Sequence, residues 1–529
     1  MIINRHGLNW EVEGAPATST YVNGDICVPA GTKVIRVTSD NGNTTVSQIN
    51  PAPLGRPGSP ARNAFLPPSL KSDMSYHYDA SLETKFPFVL QDGMSLVSAV
   101  QAPGAGVPIS HCAVLTAVAV LPAPGTEFRP AYTGPLKPAK KRVMDMRNPG
   151  PVIPNHPYPF DINQINKVWP DFVADWPGQY IHASNNMKAY GRDIASIVGD
   201  AALAVCFTTD EAARREIIIN LCQIGIDMYG LYMNGQYWTD GGGHSHGRKL
   251  PIIFAGLVFN DPSMMLLQKR FGEDHAFFVQ KTGTTINNGF GGYGNEHIGM
   301  AEWGWKHADI PNTDNIAWDS NVTPYRFCCT ANSWLGQCIA MRLMGGLKAW
   351  NNNAWATYLD KYIRKCKADG SPGWWLDWSD GRQLAAWDKF RVQDAPATQS
   401  IGYGTHFLMS DIPPLVGQPC TIRIRGPYHP NCKVILALGR TRLIPTESPP
   451  IPVPGIIYKG FTYLDSIDVS VTIDHTSNQT TYNVPLLPHN LPGTGFTLQA
   501  FILNENGVWT SSNALELIVQ DPTKPPVLG

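Results

Sequence analysis

The fold is decided by a long helix-forming stretch near the middle of the chain, TTDEAARREIIINLCQIGIDMYGLYMNG, residues 208–235. Its apolar residues recur with the spacing of an α-helix. The opening Thr and Asp are favourable N-cap residues, and the acidic first turn complements the positive end of the helix dipole. The stretch therefore predicts a capped helix within a largely helical central region.

The segments around this stretch carry the same helical pattern. Further helices are predicted for NMKAYGRDIASIVGDAALAVCF, KLPIIFAGLVF, DPSMMLLQKRF, TANSWLGQCIAMRLMGG and NNNAWATYLDKYIRKCK. Long loops rich in Gly and Trp join them. Antiparallel helices with large aromatic loops at one end are typical of an α/α toroid, an incomplete helical barrel, which we predict for residues 151–410. A helical array without a central cleft would give the same pattern.

Strand patterns flank this helical region on both sides. Residues 1–150 alternate short β-type runs with Gly, Pro and Asn, which predicts an N-terminal β-sandwich ending in a proline-rich, extended linker. Residues 411–529 contain short alternating segments typical of an immunoglobulin-like or fibronectin-like β-sandwich. At 529 residues the chain is too long for one ordinary core, so we expect a multidomain protein of α and β structure.

Composition narrows the class of protein. The formal net charge is -1, so the chain lacks the basic surplus that neutralises phosphates, and we expect no nucleic-acid partner. The longest apolar runs, CAVLTAVAVLPA and LPIIFAGLVF, are too short to span a bilayer, which predicts a soluble protein. The N-terminus shows no secretory signal. The uncharged polar surface is common in carbohydrate-handling proteins, so we expect extracellular or surface action, with a cytoplasmic location left open.

The ten cysteines are scattered without C-x-x-C spacing. Four of them, Cys206, Cys222, Cys338 and Cys366, fall inside predicted helices. We therefore expect reduced, buried cysteines and no disulfide framework.

The segment GGGHSHGRK places His244, His246, Arg248 and Lys249 directly before the predicted helix KLPIIFAGLVF. A phosphate-binding loop does not fit, because Arg248 stands where lysine is required and a helix precedes the loop. An H-x-H pair would allow a divalent metal at His244 and His246 as a minority alternative. Spacing fixes no third ligand, so we expect no cofactor.

The two basic side chains of this segment raise an electrostatic question. A helix start here would place Arg248 and Lys249 beside the positive end of the dipole, where cations are disfavoured. A bound carboxylate or sulfate would offset that cost. Alternatively, the two side chains point to solvent or pair with Asp240.

A second group of polar and aromatic residues lies in NNGFGGYGNEHIGMAEWGWKH, residues 287–307. It contains Tyr293, Asn295, His297, Glu302 and Trp303. An indole matches the apolar face of a sugar ring, so tryptophans here either form a stacking surface or belong to the core.

Other candidates lie outside this second group. Tyr237 and Trp238 precede the triple glycine, and Arg326 precedes the helix TANSWLGQCIAMRLMGG. Arg326 would bind an acidic group or, as a buried arginine, pair with Glu302 or Asp319. The loop SPGWWLDWSD is too aromatic for an ordinary exposed linker, so burial or ligand contact must cover it.

His, Tyr, Asn and Arg together suit β-elimination from a uronic-acid polymer. The reaction needs a neutralised carboxylate, a base for the adjacent carbon proton and an acid for the departing oxygen. The order of a β-domain, a helical toroid and a β-domain, with these residue types on the toroid's loops, resembles the toroid-containing polysaccharide lyases, such as alginate and heparinoid lyases. The resemblance implies an acidic polysaccharide as substrate and partner.

By role, the base is His246 or His297 and the acid is Tyr237 or Tyr293. The carboxylate binders are Arg248, Arg326 and Asn295, and the stacking surfaces are Trp238 and Trp303. His244, Lys249 and Glu302 complete the set of substrate-binding candidates.

Two other functions remain open for the chain. A glycoside hydrolase on the same toroid would use paired carboxylates, for which Asp240, Glu296, Glu302 and Asp377 are available. A non-catalytic protein, either a carbohydrate-binding or a phage-surface component, would fit the two flanking β-domains.

Overall fold

The structure is a computed structural model that describes most of the chain. It describes residues 1–53, 62–150, 152–173, 176–238, 242–278, 281–282, 285–286, 301–303, 328–368, 370, 376–379 and 381–390. Between Thr398 and Ile518 it describes the backbone of the β-strands.

The N-terminal part consists of two β-sheets. The first contains, in order, β1 (Ile2–Arg5), β2 (Leu8–Val12), β5 (Lys33–Ser39) and β7 (Phe88–Val89). The second contains, in order, β3 (Ser19–Thr20), β4 (Ile26–Pro29), β9 (Ile109–Val118), β8 (Ser95–Gln101) and β6 (Thr45–Ile49). Neighbouring strands are antiparallel except β4 and β9, which run parallel.

The two sheets share one cluster of buried apolar side chains. On β2, Leu8, Trp10 and Val12 alternate with less buried residues, as expected for a strand with one covered face. The indole of Trp10 donates to the hydroxyl of Ser98 on β8 over 3.0 Å, so the polar edge of this large ring is satisfied inside the cluster.

Strand β8 is covered on both of its faces. Leu96 and Val100 belong to the cluster between the sheets, whereas Val97 and Ala99 belong to the large core formed with the helices. Every residue of β8 is therefore buried. The N-terminal sheets and the helical part are thus continuous in their packing.

The described part of the chain contains eight α-helices. Their bounds are α1 (Gly191–Phe207), α2 (Glu211–Met233), α3 (Lys249–Phe259), α4 (Pro262–Met265), α5 (Leu335–Leu343), α6 (Leu347–Trp350), α7 (Asn353–Ala368) and α8 (Arg382–Phe390). Short strands lie between α4 and α5: β10 (Ala276–Phe278) pairs with β13 (Ala301–Trp303), and β11 (Lys281–Thr282) pairs with β12 (Thr285–Ile286).

The long helix α2 forms where the sequence predicts it. Its N-cap is Asp210, whose carboxylate accepts a hydrogen bond from the backbone N–H of Ala213 over 2.8 Å. The segment DPSMMLLQKRF, by contrast, is helical only over Pro262–Met265. The cysteines Cys206, Cys222, Cys338 and Cys366 are buried and free, as expected.

The proline-rich segment after β9 is irregular, as predicted, but it is packed against the rest of the protein and does not act as a spacer. Arg129 in this segment is fully buried and forms ion pairs with Asp25, next to β4, and with Asp227 on α2. The guanidinium keeps the pKa of Asp25 low although burial alone would raise it, whereas burial raises the pKa of Asp227. Arg129 therefore ties the N-terminal sheets to the helices.

Strands return in the last part of the chain. One sheet contains, in order, β14 (Thr398–Ile401), β24 (Val508–Ile518), β23 (Gly495–Leu503), β17 (Lys433–Gly439) and β21 (Val469–Asp474), and β19 (Ile457–Lys459) pairs with β24. A second contains β15 (Phe407–Ser410), β16 (Cys420–Arg425) and β22 (Gln479–Val484), and β18 (Thr441–Thr446) pairs with β20 (Thr462–Leu464).

The prediction of a chain that contains both helices and β-sheets is confirmed. Strands β14 and β15 precede residue 411 and pair with strands that follow it, so the strand-rich region extends further toward the N-terminus than the boundary drawn from the sequence. Among the described helices, none combines the length and apolarity required to cross a bilayer.

Replacing Arg129 with Met should destabilise the protein. The substitution removes the ion-pair partner of the buried Asp227 and leaves the buried Asp25 with Arg5 alone. Loss of one partner from a buried ion pair typically costs about 3–5 kcal/mol. Urea denaturation followed by tryptophan fluorescence measures the loss.

The matched control for that variant is Arg142→Met. Arg142 pairs with Asp145 on the surface, so its loss should leave the denaturation midpoint unchanged. Equal midpoints for the two variants would contradict the role of Arg129 as the tie between sheets and helices.

Candidate functional site

From Gly242 onward, the GGGHSHGRK segment forms a tight turn that leads into α3. Gly242–Ser245 is a 3-10 helix, and α3 begins at Lys249 with Arg248 as its N-cap residue. The predicted helix start is therefore confirmed. The N-cap position lacks a capping hydrogen bond, because a guanidinium has no acceptor for the free N–H groups of the helix.

Arg248 is buried and forms a two-pronged ion pair with Asp171. Its Nε lies 2.8 Å from Asp171 Oδ2, and its Nη2 lies 3.1 Å from Asp171 Oδ1. The remaining terminal nitrogen, Nη1, donates to the backbone carbonyls of His244 and His246 over 2.7 and 2.8 Å. One guanidinium thus binds both a carboxylate and the turn that carries the two histidines.

Asp171 is the centre of a buried network. It also accepts hydrogen bonds from Nε2 of His182 over 2.7 Å and from the indole of Trp238 over 2.9 Å. Burial alone would raise the pKa of Asp171, but Arg248 and His182 stabilise its ionised form, and the net result is a pKa well below the usual value. Asp171 therefore remains a carboxylate.

Lys249 has its own internal partner, because its ammonium group pairs with the carboxylate of Asp274 and lies over the ring of Trp350. Both cations at the start of α3 are thus neutralised by carboxylates of the chain itself. The expectation that Arg248 and Lys249 bind an anionic substrate is corrected here, since both side chains are buried and engaged. The anions beside the start of α3 are the carboxylates of Asp171 and Asp274.

His246 is fully buried and therefore inaccessible as a catalytic base. Its ring lies 5.3 Å from that of Trp334 and 5.9 Å from that of Trp303, and its Nδ1 is 3.9 Å from Oε2 of Glu273. The assignment of His246 as the base is corrected for this reason. It belongs to the aromatic core beneath the turn.

The predicted stacking surfaces are also buried. Trp238 is 2% exposed and Trp303 is 1% exposed, so neither presents a ring face to a sugar. Glu302 is buried, and its carboxylate accepts from the backbone N–H of Trp303 over 2.9 Å. Tyr237 is half-buried, with the guanidinium of Arg270 over its ring.

His244 differs from His246 because it reaches the surface. It is half-buried, and its ring packs edge-on against the ring of Tyr190, with centroids 4.5 Å apart. Burial, and then the charge of Arg248, lower the pKa of His244 to about 4. The imidazole is therefore neutral at pH 7, the form that accepts a proton.

Arg192 and Trp378 extend this surface. The guanidinium of Arg192 lies 3.4 Å from the ring centroid of Trp378 and 5.2 Å from that of Tyr190. Its Nε donates to Asp193 over 2.7 Å, and its Nη1 donates to the carbonyl of Cys328 over 3.1 Å. Nη2 makes no hydrogen bond to another described residue, and Trp378 is 37% exposed. We call Tyr190, Arg192, His244 and Trp378 the surface cluster.

The surface cluster depends on a close approach of two backbone segments. Gly191, the first residue of α1, lies against the turn, and a Cβ atom there would be 2.3 Å from the carbonyl oxygens of both Gly243 and His244. Only glycine fits at such a contact. The approach places Tyr190 and Arg192 beside His244.

Several predicted residues lie outside the described part of the chain. These are His297, Tyr293, Arg326 and Asn295. Their convergence with the histidines of the turn stays a prediction. Among the described residues, no group of three His, Cys, Asp or Glu side chains is placed to hold a metal ion.

The surface cluster contains residues that the sequence argument did not select. Tyr190 and Arg192 stand in AYGRD, at the start of a predicted helix, and their proximity to His244 has no local sequence signal. Trp378 lies in SPGWWLDWSD, whose aromatic content did indicate ligand contact or burial. Cys328, which accepts from Arg192, is joined to its neighbour Cys329 by a disulfide, the one present in the described residues.

Replacing Gly191 with Ala should disrupt the contact between α1 and the turn. The added methyl group overlaps two carbonyl oxygens, and overpacking of this kind typically costs about 1–3 kcal/mol. The denaturation midpoint should fall, and the histidine NMR signals of His244 should shift. In the control Gly106→Ala the new methyl group meets no atom within 4 Å, so its midpoint should not fall. A normal midpoint for Gly191→Ala would contradict the geometry.

His244 should make folding stability depend on pH. Its pKa is about 4 in the folded protein and close to 6.5 when unfolded, so below pH 6.5 the unfolded chain binds the proton more readily. The stabilisation that the neutral ring provides is complete above pH 6.5 and is lost as the pH falls toward 4. The melting temperature of His244→Gln should therefore decrease less between pH 7 and pH 5 than that of the wild type. Parallel curves would contradict a depressed pKa.

Comparison with known proteins assigns no family to the chain. No protein-family model, no curated protein and no solved structure matches it.

Proposed function

We propose that the protein cleaves an acidic, uronate-containing polysaccharide by β-elimination, with the surface cluster as its active site. The observation that carries the proposal is the contact of a neutral histidine, His244, with a tyrosine, Tyr190, beside an arginine, Arg192. These three residue types match the base, the acid and the carboxylate binder that the reaction requires.

His244 serves as the base in this proposal. It removes the proton from the carbon next to the uronate carboxyl group, and the electron pair of that bond forms a carbon–carbon double bond as the glycosidic oxygen leaves. A base must be unprotonated to act, and burial together with Arg248 keeps the pKa of His244 at about 4. The ring nitrogens make no hydrogen bond to another described residue, which leaves them available to substrate.

Arg192 binds the uronate carboxylate and makes the adjacent proton more acidic. Its guanidinium lies near the rings of both Tyr190 and Trp378 and retains one terminal nitrogen for a ligand. Arg192 also lies in the first turn of α1, where the dipole favours an anion. Asp193 neutralises part of the positive charge of Arg192. The helix dipole therefore adds to the attraction between this site and the uronate carboxylate.

Tyr190 serves as the acid that protonates the departing oxygen. Its ring packs edge-on against His244, so the two groups can reach adjacent atoms of one sugar link. Trp378, exposed at the edge, provides an aromatic contact for the sugar where Trp238 and Trp303 are buried. A polymeric substrate agrees with action outside the cell or at a surface. The α/α toroid and the two flanking β-sandwiches remain predictions for how the helices and sheets are arranged.

The hydrolase alternative has less support from the described residues. Glu302 and Asp377 are both buried, and Asp377 accepts hydrogen bonds from the backbone N–H groups of Ser379 and Leu384. A glycosidase needs two carboxyl groups that face the substrate. Asp240 and Glu296 lie outside the described residues.

The proposed function is tested by incubation with a panel of polyuronates and neutral polysaccharides. A lyase produces ultraviolet absorbance from unsaturated ends on the polyuronates alone. His244→Gln and Tyr190→Phe should each lower kcat by two orders of magnitude or more, on the order of the contribution of a general base or acid. Arg192→Gln should also lower kcat/KM.

The matched control is His246→Gln, two residues from the proposed base. His246 is buried and does not reach the surface, so this variant should lose stability while its folded fraction keeps its turnover rate. Reducing ends without absorbance would support the hydrolase, and binding without turnover would support a sugar-binding protein. Equal activity losses for the two histidine variants would contradict the assignment of His244.

A further inference from the structure

Arg248 is buried, and its described contacts are all internal. Only 4% of Arg248 is exposed, so a polymer bound at the surface would not contact it. Three of its nitrogens are occupied: Nε and Nη2 by Asp171, and Nη1 by two backbone carbonyls. One of these carbonyls belongs to His244.

We propose that Arg248 is a positioning residue, which holds the turn at residues 244–246 so that His244 stays against Tyr190 in the geometry that elimination needs. The inference rests on the proposed function of His244. It replaces the role that the sequence suggested for Arg248, direct contact with a substrate carboxylate.

Asp171, the ion-pair partner of Arg248, is itself held in place by other residues. Asp171 accepts from His182 and Trp238, and its backbone N–H donates to the hydroxyl of Tyr132 over 3.0 Å. Two donors to the carboxylate and one contact of its backbone therefore hold Asp171 in place, and Asp171 in turn fixes two nitrogens of the guanidinium. The third nitrogen of a planar, rigid group then fixes the carbonyl of His244.

A second effect accompanies the positioning, because Arg248 brings a positive charge close to His244. Within the described part of the chain, the charged or titratable groups that face His244 are Arg248, His182, His246 and Tyr190. Burial is the main cause of the low pKa of His244, and Arg248 is the next. Removal of the charge should therefore raise the pKa of His244.

The first test compares histidine NMR titrations of the wild type, Arg248→Gln and Arg214→Gln. Arg214 is the matched control, a buried arginine that donates to the carbonyls of Val205 and Gly150. Arg248→Gln should raise the pKa of His244 from about 4 toward 6.5, and Arg214→Gln should leave it unchanged although both variants lose stability. An unshifted titration in folded Arg248→Gln would overturn the inference.

The second test separates positioning from substrate contact with Arg248→Lys. Lysine keeps the positive charge but cannot bind Asp171 and the carbonyl of His244 at the same time with a planar guanidinium. Because His244 is then displaced, kcat should fall on the order of ten- to hundredfold, while KM stays within about twofold. A higher KM at unchanged kcat would show substrate contact and overturn the inference. This variant decides the matter where Arg248→Gln does not fold.

The two proposals fail in distinguishable ways. If the wild type cleaves no polyuronate, the proposed function is wrong, and the NMR titrations alone decide whether Arg248 sets the surroundings of His244. If the wild type is active and Arg248→Lys matches it in kcat, only the positioning role is wrong.

Discussion

The buried ion pair between Arg248 and Asp171 is the interaction on which the rest of the site depends. It joins the start of α3 to a segment 77 residues earlier in the chain. Two buried charges require nearly complete hydrogen bonding, because each has lost its hydration. The pair meets this requirement through His182, Trp238 and the backbone of the turn. The turn is consequently part of the network and cannot shift without exposing a charge to an apolar interior.

The segment GGGHSHGRK places two nearby histidines in different environments. His244 and His246 are two residues apart, yet one reaches the surface and the other is enclosed by Trp303 and Trp334. The glycines allow this, because the backbone passes so close to the start of α1 that side chains would not fit. The half-buried His244 is thereby placed two residues from an imidazole that lies in a dense aromatic core.

The local features of the fold were predictable from the sequence. Helix α2 with its Asp210 cap, the start of α3 and the strands after residue 411 follow from periodicity and capping, which act over a few residues. The exposure of individual side chains was not predictable in the same way. His246 and Trp303 have the right chemistry for a sugar site, and only long-range packing decides that they are enclosed.

Contacts between residues that are far apart in the sequence were not predictable either. No spacing rule connects Arg248 to Asp171 or His244 to Tyr190, since these pairs are created by the way helices pack. A cation at a helix start does indicate that an anion is near. It does not indicate whether that anion belongs to a ligand or to the protein.

Arg129 has a consequence for how this protein can change. A segment rich in prolines and poor in regular structure usually marks a place where evolution joins and exchanges modules. Here that segment carries a buried charge shared by Asp25 and Asp227, and strand β8 has one face in each core. Another sheet could therefore replace the N-terminal strands only if it had a carboxylate in place of Asp25 and an apolar face in place of that of β8. Substitutions in the two parts must consequently be compatible with each other.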